Sequence, residues 1–175
     1  GEAQSWFTRF TQRLITALSA PTAEGTLYEV DMRLRPSGRS GPVAVRLSAF
    51  ERYQNEEAWT WEHMALTRLR PVAGDAALGR QARAIAMNAI TGRAGRAGLQ
   101  VDVADMRQRL RAERPGQGLW DLKLAPGGLV DIEFVAQLGM LQAGEADLIK
   151  PGTAPALEGL GKTGEGEIQA AVEAA

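Results

Sequence analysis

The sequence has 175 residues, 45% of them hydrophobic, which is enough for one domain with a core or for part of a larger one. Twenty basic side chains against 21 acidic ones leave a net charge of −1, a balance that argues against a general polyanion binder and so against nucleic acid as a partner. Cysteine is absent and histidine occurs once, at His63, which excludes disulfides, zinc–thiolate sites and multi-histidine metal centres from these residues; metal chemistry would fall to carboxylates and a hard ion such as Mg²⁺.

The first predicted element is a helix from Ser5 to Leu18, with Trp6, Phe10, Leu14 and Ala17 at helical spacing and Ser5 as its N-cap. Pro21 and Gly25 mark a turn. Residues 26–35 read as a strand that Pro36-Ser37-Gly38 ends, and Pro42 to Leu47 reads as an extended return beside it. From Ser48 the period becomes helical. Ser48 and Glu51 have capping-box spacing, and one long helix can run to Leu69 before Pro71 stops it. Asp75 to Thr91 is a second helix closed by Gly92, residues 92–98 are a glycine-rich loop, and Asp102 to Ala112 is a third helix. Trp120 to Leu124 alternates as a short extended segment, Pro126-Gly127-Gly128 breaks it, and Leu129 to Gln142 is a fourth helix. Thr153 caps a short helix to Leu160, and Glu165 to Ala175 form a last one. No apolar run reaches the length of a membrane span or a secretory h-region, so no membrane partner is expected.

Chemistry concentrates in two stretches. In Leu27 to Gly38, LYEVDMRLRPSG, a strand would put Tyr28, Val30, Met32 and Leu34 on one face and Glu29, Asp31, Arg33 and Arg35 on the other. Carboxylates that hold Mg²⁺ beside arginines that neutralise phosphate are what phosphoryl transfer requires. The same alternation also suits a solvated sheet face with cross-strand ion pairs. In Trp120 to Gln137, Lys123 precedes Gly127-Gly128 and a helix whose first N–H groups are open to an anion, with Asp131 and Glu133 in its first turns. A well-capped helix would use those features equally well. His63, alone on the long helix, reads as a hydrogen-bonded structural residue rather than a catalytic base. The run Gly161-Lys162-Thr163 is not a phosphate loop, because Ala156 stands where such a loop needs glycine.

Together, LYEVDMRLRPSG, YQNEEAWTWEHMALTRLRPVAGD and DLKLAPGGLVDIEFVAQ, in that order, with LIKPGTAPALEGL further on, resemble the glutamine synthetase adenylyltransferase family. The resemblance covers nearly the whole chain, and the Tyr28-Glu29-Val30-Asp31 and Glu57-to-His63 runs look like its C-terminal, AMP-adding module. It implies an α+β, mainly α fold: the end of a polymerase-beta-type nucleotidyltransferase sheet in residues 1–47, then the start of an attached helical domain in residues 48–175. It further implies Mg²⁺ as cofactor, ATP as substrate, glutamine synthetase and a PII-type signal protein as partners, and a cytoplasmic location. Asp31 matches the third metal-binding carboxylate of that fold, the catalytic and metal position. Arg33, Arg35, Lys123, Gly127 and Gly128 would hold the nucleotide, with Asp131 and Glu133 as further candidates. The Gly-Ser turn and Asp-x-Asp strand that supply the other two carboxylates have no counterpart before Asp31, so the chain is expected to be a piece of the enzyme and inactive alone. Two other readings stay open: the AMP-removing, phosphorolytic module of the same enzyme, and a non-catalytic helical module that binds the signal protein or glutamine synthetase.

Overall fold

The computed structural model describes residues 1–26, 28–118 and 120–162, and the helix expected over Glu165 to Ala175 lies outside them. The described chain is mainly helical, with a single small antiparallel pair of strands among these residues. It forms two compact units, residues 1–58 and residues 59–175. Among the described residues no helix is long and apolar enough to cross a membrane.

The first unit begins with α1, Glu2–Ser19. The helix starts before Ser5, with Gly1 at the N-cap and no side-chain cap. Its Trp6 and Phe10 rings stack with centroids 5.3 Å apart, and both remain about half exposed. A minimal hairpin follows, β1 (Pro21–Thr22) and β2 (Gly25–Thr26), registering Pro21 with Thr26 and Thr22 with Gly25. Gly25 takes φ +100°, which a side chain would resist, and the Thr22 hydroxyl donates to the Gly25 carbonyl at 2.7 Å across the turn.

Neither the strand expected over 26–35 nor its return over 42–47 forms. After β2 the described residues carry no ladder, and the chain closes instead into a loop ending in a 3₁₀ turn at Gly38–Ser40. Local side-chain bonds explain the difference. Asp31 accepts the Arg33 N–H at 2.9 Å, which bends the backbone out of extension. Arg35 then donates to the carbonyls of Met32 (2.5 Å), Arg39 (3.0 Å) and Gly41 (3.0 Å), satisfying with one guanidinium the acceptors that a strand partner would have taken. A Cβ on Gly41 would stand 2.0 Å from the Pro36 carbonyl oxygen, so the closure needs glycine there. The unit ends with α2, Leu47–Glu56, whose N-cap is Arg46; Ser48 lies inside the helix and makes no capping box.

The second unit is a helical bundle: α3 (Thr60–Leu66), α4 (Ala76–Thr91), α5 (Leu99–Glu113), α6 (Leu129–Ala143) and α7 (Thr153–Gly161). The helix expected from Ser48 to Leu69 is therefore two helices. Trp59 is extended, and the Glu62 carboxylate accepts its N–H at 3.0 Å, which starts a new helix rather than continuing the old one. Trp59 is exposed at this break, and Trp61 is half-buried.

α6 is central and meets each of the other four helices. Ala86, Ala89 and Ile90 of α4, Leu99 and Val103 of α5, and Leu138, Met140 and Leu141 of α6 form the dry interior, which Leu148, Ile149 and Leu160 complete. α4 begins as expected: the Asp75 carboxylate accepts the Leu78 N–H at 2.7 Å. α7 is capped by Gly152, not by Thr153. α6 ends at Gly144, which has φ +62°; a Cβ there would also lie 2.0 Å from the Ala94 Cβ. Gly144→Ala is expected to cost at least about 1–2 kcal/mol for the left-handed backbone, before the overlap with Ala94 adds to it. Thermal denaturation checks it; an unchanged melting temperature would mean that α6 ends in some other geometry.

Candidate functional site

The residues that the sequence singles out fall into one group in each unit. In the first, the loop of residues 28–41 carries Asp31, Arg33 and Arg35. Asp31 and Arg33 form a forked pair: Arg33 Nε reaches Oδ1 at 3.0 Å and Oδ2 at 2.8 Å, and Arg33 Nη2 reaches Oδ2 at 2.5 Å. Both side chains are about half exposed. The Arg33 side-chain hydrogen bonds, followed by the Arg33 N–H, hold the Asp31 carboxyl down at about 2 from its ordinary 3.8. The group is thus ionised throughout the neutral range. Arg35, by contrast, spends much of its guanidinium on the carbonyls that close the loop. Tyr28 and Leu34, expected on an inward sheet face, are exposed.

In the second unit, residues 120–128 form a chain of turns rather than an extended segment. The Asp121 carboxylate organises it, accepting the N–H groups of Gln117 (3.1 Å), Leu124 (3.0 Å) and Lys123 (3.2 Å). These bonds, Gln117 first, lower the Asp121 carboxyl from its ordinary value. Lys123 therefore sits exposed in a turn rather than in an extended segment.

Gly127 has φ +76°, and a Cβ on Gly128 would meet the Leu122 and Ala125 carbonyl oxygens at 2.8 Å each, so both glycines are needed for the turn into α6. Against the expectation that the first N–H groups of α6 are open to an anion, its first two are taken. Leu129 donates to the Leu122 carbonyl at 2.9 Å and Val130 to the Lys123 carbonyl at 3.1 Å.

Asp131 completes this turn. One oxygen accepts the Gly127 N–H at 2.7 Å, and the other takes Arg107 Nε of α5; Arg111 Nη2 stands 3.7 Å away. Burial is the largest influence on Asp131 and pushes its carboxyl up. The Arg107 hydrogen bond, the Gly127 N–H and the charges of Arg107 and Arg111 together outweigh it, leaving the group below its ordinary value. Glu133 pairs with Arg68 and accepts Gln137 Nε2 at 3.1 Å. His63 is buried within α3.

Sequence reasoning missed Arg107 and Arg111. Their signal was present as two arginines four apart on one helix, which share a face, but their partner lies 24 residues from Arg107. Among the described residues, no three histidine or acidic side chains gather as a metal site.

A family model described as glutamate-ammonia ligase adenylyltransferase matches residues 1–85, the stretch that includes the Asp31 loop. Beyond that stretch, the chain is similar to the bifunctional glutamine synthetase adenylyltransferase/adenylyl-removing enzyme of several bacteria. It is 61% identical to that of Agrobacterium fabrum over 132 residues, 75% of this chain and 13% of that protein. It is 52% identical to that of Rhizobium meliloti over 166 residues, 94% of this chain and 17% of that protein. The Caulobacter vibrioides protein is 52% identical over 165 residues, 93% of this chain and 17% of that protein. The chain thus spans less than a fifth of the length of these relatives. With identity of 52% over as much as 94% of its length, the chain belongs to the glutamine synthetase adenylyltransferase family.

Proposed function

We propose that this chain is part of the adenylyl-adding module of an enzyme that transfers AMP from ATP to a tyrosine of glutamine synthetase. In that reaction the tyrosine oxygen bonds to the α-phosphorus, the bond to the bridging oxygen breaks, and pyrophosphate leaves. The reading places the enzyme in the cytoplasm, with a PII-type signal protein as regulator.

The Asp31–Arg33 pair carries the reading. An ionised carboxylate and a guanidinium sit side by side, both open to solvent, within the segment that the family model matches. Water competes for so exposed a pair, so it holds loosely and can exchange partners. Asp31 fits a hard divalent ion as one oxygen donor, to be shared with the oxygens of a nucleotide. Mg²⁺, when bound, supplies neutralisation of phosphate charge. Arg33, released from Asp31, takes a phosphate oxygen pair, for which its planar fork is suited. Arg35 keeps the loop in shape and offers its remaining N–H groups. In the second unit, Lys123 in its solvent-facing turn is a separate candidate cation for a phosphate group. Gly127 and Gly128 shape that turn, Asp131 holds it through its bond to Gly127, and Glu133 follows in α6.

Arg33→Gln in the parent-length protein separates the readings. A hydrogen bond between charged groups contributes about 1.5–3 kcal/mol, so AMP incorporation from labelled ATP should fall roughly 10- to 100-fold. Phosphate-dependent release of AMP from adenylylated glutamine synthetase should be retained. The reverse pattern assigns the segment to the adenylyl-removing activity that the relatives' name also carries. Full retention of both activities makes this a non-catalytic, partner-binding segment.

A further inference from the structure

Between α5 and α6 lies a groove of about 350 Å³, of whose lining only Asp131 is also a candidate for the nucleotide. That volume falls within the range of about 300–1,000 Å³ typical of small-molecule sites. Val103, Phe134, Val135 and Leu138 give it apolar walls, while Arg107, Arg111 and Asp131 lie along the same groove. Two guanidiniums face one carboxylate, so the groove carries one positive charge in excess.

Arg107 makes that excess specific. Its side chain is only 11% exposed, its Nε is spent on Asp131, and its Nη2 is buried with no partner. A buried donor without an acceptor is a standing cost that a bound acceptor would remove. Arg111, half exposed, stands 3.7 Å from Asp131, beyond hydrogen-bond length, and keeps its donors for another group.

We infer that this groove binds a small organic monocarboxylate with an apolar body, its carboxylate against Arg107 and Arg111 and its body against Phe134, Val135 and Leu138. A single negative charge balances the groove, whereas a phosphate dianion would leave a surplus facing Asp131. A carboxylate also matches a guanidinium fork in plane. The apolar walls reject an ion without a hydrocarbon part, because burying them requires something to cover them.

Phenylacetate is a suitable probe, with phenylacetamide as its neutral isostere and inorganic phosphate as the bare anion. Titrating each into the 175-residue chain, followed by methyl resonances of Val103, Val135 and Leu138, should show saturable binding of phenylacetate. The amide and phosphate should each bind at least about tenfold more weakly, the worth of one charge-assisted hydrogen bond. Arg107→Gln should weaken phenylacetate by a similar factor. Arg111→Gln should do so too, and its exposed position leaves the fold intact, so a misfolded Arg107 variant does not spoil the test. Arg33→Gln should leave phenylacetate binding unchanged, which separates this site from the nucleotide reading. Equal binding of acid and amide, an unaffected Arg111→Gln chain, or no binding because a second copy of the chain covers the groove would each overturn the inference.

Discussion

Asp31→Asn in the parent-length protein is expected to cut AMP transfer to glutamine synthetase on the order of 10³-fold, because the loss of several kcal/mol of charge stabilisation compounds tenfold for each 1.36. An amide has neither the charge to help hold a hard divalent ion nor the ability to take a proton from the tyrosine. The fold, however, should not respond. Asparagine still offers an Oδ1 that accepts the Arg33 N–H, so the bend that shapes the loop survives, and Asp31 is too exposed for its charge to matter to packing. The substitution also frees Arg33 from its carboxylate. Nucleotide binding without metal should therefore hold or tighten while turnover collapses. Transfer that survives near the original rate, with the melting temperature unchanged, would make Asp31 a surface residue and leave the Asp31–Arg33 pair as ordinary surface pairing.

What was legible in the sequence was local and periodic. α4 is legible from Asp75 to Thr91 with Gly92 closing it, because both of its ends are written into adjacent residues. α6 was placed within a residue of its end for the same reason, a glycine turn followed by a regular apolar stripe. Two of the three failures over extended segments, 26–35 and 120–124, share one cause, and the return over 42–47 then has no strand to pair with. In Asp31-Met32-Arg33 and in Asp121-Leu122-Lys123 an aspartate accepts the N–H two residues on, and in both the chain turns where alternation had suggested a strand. Alternation records which side chains would share a face if the backbone were extended. It does not record whether a short carboxylate outbids the ladder. The break before α3 is similar, decided by Glu62 reaching back to Trp59 rather than by any helix-breaking residue.

The groups in the second unit were legible only in part, and the missing part is long-range. Gly127-Gly128 announced a turn, and the spacing put Asp131 in the first turn of a helix, where a carboxylate is favoured. Nothing local says that Arg107 and Arg111 come from another helix to meet it, or that Arg68 meets Glu133 across 65 residues. Those contacts use up the carboxylates that the sequence had offered as site candidates, and they turn Asp131 from a solvent-facing charge into the joint between α5 and the turn into α6.

Asp131→Ala should therefore be among the most damaging single changes in the second unit, at about 3–5 kcal/mol. Breaking one side of a largely buried ion pair strands the other charge, and Arg107 at 11% exposed has little water to fall back on. The Gly127 N–H loses its acceptor in the same stroke, at a residue whose φ of +76° needs that bond to hold the turn. The pH dependence identifies the cause. Asp131 titrates below its ordinary 3.8 in the folded chain, so it binds protons less readily than in the unfolded chain. Its contribution is complete above that ordinary value and is lost as the pH falls through the lower, folded one. The gap in melting temperature between the original chain and Asp131→Ala should be widest near pH 7 and should narrow below about pH 4. Asp131→Asn keeps an acceptor for Gly127 but not the charge for Arg107, and it should fall between the two at pH 7. A gap that stays constant from pH 7 down to pH 3 would mean that the alanine chain lost packing alone, and that the Arg107–Asp131 pair contributes nothing as a pair of charges.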